Sequence, residues 1–286
     1  MSSADLAIGL PRPRYRGAFG RLYASELRLI LGRRRNLALL AVLGVIPVLI
    51  GIAVDVNTPR GGDGPEFLGQ ITDNGLFLVF TALTVCLPLF LPLVVGVVSG
   101  DTIAGEAGLG TLRYLLTVPV TRRRLLAVKT LGALTFTAAA VLTITVVGLV
   151  VGAVLFGLHD VTLLSGDTVS LGNGLTRMVG VAAYVVVALF GLAAVGLFLS
   201  TLTENAIAAM ATTVAFSVFS LVLDAVPQLS AIHPWLLTHN WLGFGELLRT
   251  GVDGRLLLQW SLLHLSYAAV FLSLAWARIT TKDITS

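Results

Sequence analysis

Charge is scarce in this chain. Of 286 residues only 12% are Asp, Glu, Lys or Arg, while 56% are hydrophobic. A soluble domain carries about 25% charged residues, so an ordinary water-soluble enzyme is excluded. A disordered chain is excluded as well, because such chains are poor in apolar residues and rich in net charge. Cysteine is nearly absent. The single Cys86 rules out an internal disulfide and any cysteine-based metal cluster, and its apolar surroundings make it a small packing residue. Lysine is almost as rare, with only Lys129 and Lys282 against seventeen arginines. Neither lysine stands in a G-x-x-x-x-G-K-[ST] phosphate loop, whose lysine must reach the nucleotide phosphates. The chain is therefore not expected to be an ATP-hydrolysing enzyme by that route.

What the chain has instead is long hydrophobic runs and thirty glycines. Crossing about 30 Å of hydrocarbon at 1.5 Å per residue takes roughly 20 residues. Six runs qualify, at 37–54, 76–98, 131–157, 178–200, 206–226 and 256–277, and Asp224 is the only Asp, Glu, Lys or Arg inside them. Glycine suits this setting, because small residues let membrane helices approach closely where lipid supplies no hydrophobic drive between them. The expected fold is an all-α membrane protein of six transmembrane helices. The basic stretch before the first run resembles the n-region of a signal peptide. Its leader is too long, however, and no small-x-small cleavage site follows residue 54, so the run reads as a retained anchor.

The loops set the orientation. Eight bases precede the first span, five lie between the second and third, none between the fourth and fifth, and two follow the last. These fifteen fall on one side and the remaining four on the other, so both termini are expected in the cytoplasm. The +4 net charge thus reflects topology, not a nucleic-acid footprint. Arg33, Arg34, Arg35 and Arg122, Arg123, Arg124 are the natural inner-face anchors to anionic lipid.

Three segments stand out between the spans. Residues 1–36 form a cytoplasmic N-terminus in which Phe19, Leu22, Tyr23, Leu27 and Ile30 line one side of a helix, the pattern of an amphipathic helix lying in the interface. Residues 37–277 make one transmembrane domain, and 278–286 a cytoplasmic tail. The stretch between the fifth and sixth spans carries His233-Pro234-Trp235 and His239-Asn240-Trp241. It reads as an aromatic belt, with Pro and Gly also fitting short broken helices. Between the second and third spans, Leu109, Leu112, Leu115 and Leu116 form a short apolar stripe that Pro119 stops before the arginine cluster. Such an element lies on the bilayer or fills a groove on a partner protein.

This second inner segment resembles the membrane-spanning permease subunits of type-2 ATP-binding cassette exporters. In that family a Glu after the second span is followed by Gly-Thr-Leu, a leucine pair, a proline and a basic cluster. Here these are Glu106, Gly110-Thr111-Leu112, Leu115-Leu116, Pro119 and Arg122 to Arg124. Weaker matches are Glu26-Leu27-Arg28 before Arg33 to Arg35, the turn from Ser200 to Ala206, and the closing Arg278 to Ile284. The resemblance implies a half-transporter in the plasma membrane of a bacterium that pairs with a second copy of itself or a related permease. It further implies two separate nucleotide-binding ATPase subunits that hold the ATP and Mg, and export of a hydrophobic or amphipathic compound such as a lipid, antibiotic, peptide or drug. Glu106, Leu109, Thr111, Leu112, Arg113, Leu115, Leu116 and Glu204 would then couple the permease to the ATPase through a coupling helix, with no catalytic, cofactor or metal residue in this chain.

Two span residues are possible pathway groups. His264 is expected to face the bundle and pair with Tyr267 or a hydroxyl, and Asp224 to snorkel outward. His159, His233 and His239 lack metal-ligand spacing in sequence. The competing functions are an ion- or proton-coupled carrier, for which one span histidine is thin support, and an intramembrane enzyme. The latter needs converging nucleophile and base or metal ligands, which the spans do not show.

Overall fold

The computed structural model describes residues 18–57, 74–108 and 121–281. Helix α1 spans Ala18–Gly32 and α2 spans Arg34–Asn57, followed by α3 at Leu76–Cys86 and α4 at Phe90–Gly108. Next come α5 at Arg122–Leu155, α6 at Leu171–Leu202, α7 at Ala206–Asp224 and α8 at Gly254–Thr281. A two-residue hairpin, β1 Val161–Thr162 with antiparallel β2 Thr168–Val169, sits before α6. Six of the helices (α2, α4, α5, α6, α7 and α8) are long and apolar enough to cross a membrane, at 19 to 34 residues.

Backbone polarity dictates how these helices begin. In lipid every N–H and C=O must be satisfied internally, and the first turn of a helix leaves donors free. Asn205 Oδ1 accepts from the Ile207 and Ala208 amides at 3.0 and 3.2 Å. Asp253 Oδ1 does the same for Arg255 and Leu256 at 3.0 and 3.1 Å, and Asn74 Oδ1 accepts from Leu76 N at 3.0 Å. Within the spans, hydroxyls turn back on their own helix. Thr137 and Thr145 donate to the carbonyls four residues earlier at 2.9 Å each, the arrangement that lets a hydroxyl sit in an apolar setting.

The second span departs from the sequence expectation of one uninterrupted helix over 76–98. It is broken at Leu87-Pro88-Leu89 into α3 and α4. Proline cannot donate to the carbonyl four residues back and its ring crowds that carbonyl. Pro88 stands in the break, although a proline alone does not force one, since Pro47 is carried inside the unbroken α2; α4 then runs ten residues past the expected end, to Gly108.

Helices α4 and α6 form the centre. Some 78% of the apolar window of α4 and 72% of that of α6 is buried, against 17–33% in α2, α5, α7 and α8. Small residues permit the approach. A Cβ on Gly100 would fall 2.8 Å from the Met210 backbone of α7, and one on Gly96 would fall 3.0 Å from Val214. Gly75, at the start of α3, and Gly152, late in α5, meet backbone to backbone. Cys86 is fully buried in this core.

Candidate functional site

At one end of the molecule, six charged side chains from four helices and the α1–α2 corner meet. Lys129 near the start of α5 is almost buried, its side chain 3% exposed. Its Nζ donates to Glu26 Oε2 of α1 at 2.8 Å and to Glu106 Oε1 of α4. Beside them Asp101 of α4, also buried, accepts from Arg33 and from Arg35 Nη2, the latter at 2.7 Å. Three carboxylates thus face three cations; Lys129 is buried with them, while Arg33 and Arg35 stay 39% and 42% exposed and reach in to pair Asp101, so each buried carboxylate has a cationic partner. A polar cavity of about 20 Å³ among Glu26, Arg33, Asp101, Glu106 and Lys129 has room for a single water.

The neighbouring contacts extend this frame. Asn36 Nδ2 donates to Ile30 O at 2.8 Å across the α1–α2 corner. Ser200 of α6 accepts from the Ile103 and Ala104 amides of α4 at 3.0 and 2.8 Å. Arg122 donates to the Ile279 and Thr280 carbonyls of α8 at 2.6 and 3.0 Å. Six helices are therefore fastened at this end. An open groove of about 930 Å³ lies alongside, lined by Arg34, Gly105, Gly108, Glu204, Asn205 and Ile207 among others.

The sequence-predicted coupling residues are distributed unevenly over this geometry. Glu106 is inside the frame and not on its surface, and Glu204 lines the groove. Leu109, Thr111, Leu112, Arg113, Leu115 and Leu116, the stripe expected to form the coupling helix, lie outside the described residues. Arg34, Arg123 and Arg124 are exposed, whereas Arg33, Arg35 and Arg122 spend their charge on internal partners. The amphipathic reading of α1 is met by a helix whose Glu26 and Ile30 are buried and whose Tyr23 hydroxyl bonds Thr135 Oγ1 of α5 at 2.5 Å. It packs on a span as well as presenting Phe19 and Leu29 outward.

The opposite end differs in chemistry. Three short 3-10 helices, Pro227–Leu229, His233–Trp235 and Trp241–Leu248, replace a plain loop between α7 and α8. The two tryptophans separate: Trp235 is 70% exposed, but Trp241 is core, 2% exposed, a position that does not fit a belt residue. Between these turns and α8 opens a cavity of about 830 Å³, with Trp235, His239, Gln259, Trp260, Tyr267 and Phe271 in its wall. His264 is fully buried but does not line it. The expected partnership with Tyr267 is not made. The Tyr267 hydroxyl donates to Trp235 O at 2.8 Å, and His264 stands edge-on to Tyr184 with ring centroids 6.3 Å apart, neither ring nitrogen hydrogen-bonded among the described residues. Asp224 does not simply reach outward: its Oδ1 takes His239 Nδ1 at 2.6 Å, with His233 Nδ1 at 3.9 Å.

Sequence reasoning missed Glu26, Asp101 and Lys129 as partners, because their pairing appears only where separate helices meet. The one signal was position, since Asp101 and Lys129 stand just outside the charge-free runs. A family described as a protein of unknown function (DUF2705) matches residues 64–285, from before α3 to beyond α8. No curated protein matches the chain.

Proposed function

The chain belongs to the DUF2705 family, and from the geometry of its two ends we propose that it is the membrane-spanning permease subunit of an ATP-binding cassette exporter, driven by separate ATPase subunits. The observation that carries the reading is the buried ion frame. Glu106 stands two residues before Gly108, the end of α4, and Lys129 lies in the second turn of α5. Their bond therefore clamps the two helices on either side of 109–120, the apolar stripe with arginines after it. A stripe held at both ends by rigid helices passes the movement of a docked partner to the spans as a rigid body. The adjoining groove, with Glu204 and Arg34 on its wall, supplies charges that set the register of that partner.

At the other end the 830 Å³ cavity is of the size and apolar, sparsely polar lining that suits a drug-sized ligand. It supports a hydrophobic or amphipathic cargo. Burial recasts the part Glu106 plays: it is a positioning residue that holds the stripe, and Leu112, Leu115 and Leu116 are the docking anchors. The inner-face assignment of the frame and the bacterial plasma membrane belong to this same proposal.

The test is reconstitution. A nucleotide-binding ATPase is expected to accompany the detergent-solubilised protein, and ATP to drive cargo movement in sealed vesicles holding both. Glu106→Gln, which leaves Lys129 its bond to Glu26, should keep the assembly but lower transport per ATP hydrolysed. Transport per ATP equal to that of the unaltered protein overturns the positioning role. Absence of an ATPase partner, with transport that follows a proton gradient alone, overturns the exporter and favours a coupled carrier.

A further inference from the structure

The sequence spacing of Asp224, His233 and His239 gives no sign of a metal site, but the fold gathers them. Asp224 is the last residue of α7, His233 opens the second 3-10 helix, and His239 lies in the turn before the third. One ligand atom from each lies within 4.8 Å of the others. The side chains are 25%, 16% and 36% exposed, so solvent ions reach them.

The hydrogen bonding decides what the cluster can hold. His233 Nε2 lies 3.1 Å from Val226 O. A carbonyl only accepts, so Nε2 carries a hydrogen and the neutral ring presents a lone pair at Nδ1. That lone pair faces Asp224 Oδ1, another acceptor, at 3.9 Å. Two acceptors face to face call for a cation between them. A ring nitrogen fixed in its tautomer by a carbonyl behind it is the arrangement that metal-ligating histidines adopt. His239 meets the same carboxylate oxygen through Nδ1 and can release that hydrogen when a metal takes its place, since metal binding displaces protons from its ligands.

We infer that Asp224, His233 and His239 form a binding site for a divalent transition-metal ion of the zinc class. Two imidazoles and a carboxylate favour zinc over magnesium or calcium, which prefer all-oxygen shells. Donors about 2.0–2.2 Å from a tetrahedral ion stand about 3.4 Å apart, so the present cluster closes on the ion by side-chain rotation of two partly exposed rings. Three protein ligands leave a fourth position open, as in sites that exchange a water or a bound group. Because His239 also lines the 830 Å³ cavity, the ion sits at the rim of that cavity and ties the end of α7 to the turns that form its wall.

The site stands on this geometry and not on the permease reading, and its test needs no ATPase, so the two fail separately. The full-length protein in detergent, freed of metal, is titrated with Zn²⁺, with Co²⁺ as a spectroscopic probe. One ion per chain is expected, with a visible Co²⁺ absorption of four- or five-coordinate strength, and excess Mg²⁺ should not displace it. His233→Ala and His239→Ala should each weaken binding by more than the ~10–100-fold that follows loss of a second-shell partner, and His159→Ala should leave it unchanged. In the unaltered protein Zn²⁺ should shield His239 from diethyl pyrocarbonate while His159 still reacts, a readout that does not depend on how the variants fold. Binding that survives in the double variant, or a His239 that Zn²⁺ leaves unprotected, overturns the site.

Discussion

At the scale of single residues, Lys129 is the side chain on which the arginine-rich end depends. Removing it takes away the cation that Glu26 and Glu106 share, both nearly buried. Breaking one side of a buried ion pair costs about 3–5 kcal/mol, whereas replacing all partners with well-packed apolar groups is often neutral. Lys129→Ala should therefore lower the thermal unfolding midpoint of the detergent-solubilised protein far more than Glu26→Gln does. The triple replacement Glu26→Leu, Glu106→Leu, Lys129→Met should recover most of the loss. A triple variant as unstable as Lys129→Ala would show that the site's charge, not its uncompensated burial, holds the helices. None of this pairing was legible in the sequence. Glu26 and Lys129 are separated by 103 positions and Arg33 and Asp101 by 68, and no local spacing rule reaches across separate helices.

At the scale of elements the sequence spoke more clearly, because a bilayer reads length and charge directly. The charge-free runs near 37, 131, 178, 206 and 256 each coincide with a single long helix. The second did not: it breaks at Leu87-Pro88-Leu89, where proline removes a donor, a cost that hydropathy does not count and that α2 absorbs at Pro47. The same averaging hid the outer turns, where a 15-residue gap in sequence becomes a 2.6 Å contact between Asp224 and His239. Straightening the break is the direct probe of its role. Pro88→Ala restores the missing N–H and should join α3 and α4 into a longer helix. That would shift the register of α4 against α7, where Gly96 and Gly100 leave no space for a slip. The expected result is unchanged insertion but a lower unfolding midpoint; a midpoint equal to or above that of the unaltered protein would show the break to be incidental.

At the scale of the whole molecule, the asymmetry of charge and the asymmetry of burial point to one arrangement in the membrane. Helices α2, α5, α7 and α8 turn Leu49, Val146, Phe219 and Leu262 outward, a surface stable only against lipid or another apolar face. The ends carry opposite chemistry. Arg33 to Arg35, Arg122 to Arg124 and the ion frame stand at one, and the hairpin, the 3-10 turns and Ser170 at the other. The proposed function puts the first end in the cytoplasm, as the bias of basic residues predicts. The single, buried Cys86 makes this directly measurable, since Cys86→Ser gives a background free of thiols. On that background Arg123→Cys and Ser170→Cys place one exposed thiol at each end. A membrane-impermeant maleimide added to sealed, right-side-out vesicles should label the Ser170→Cys protein at once. The Arg123→Cys protein should react only after the vesicles are opened, and inverted vesicles should exchange the two patterns. Labelling of both from one side would mean that the ends do not lie across a bilayer from each other, and would remove the topology on which the proposed docking of an ATPase at the arginine-rich end depends.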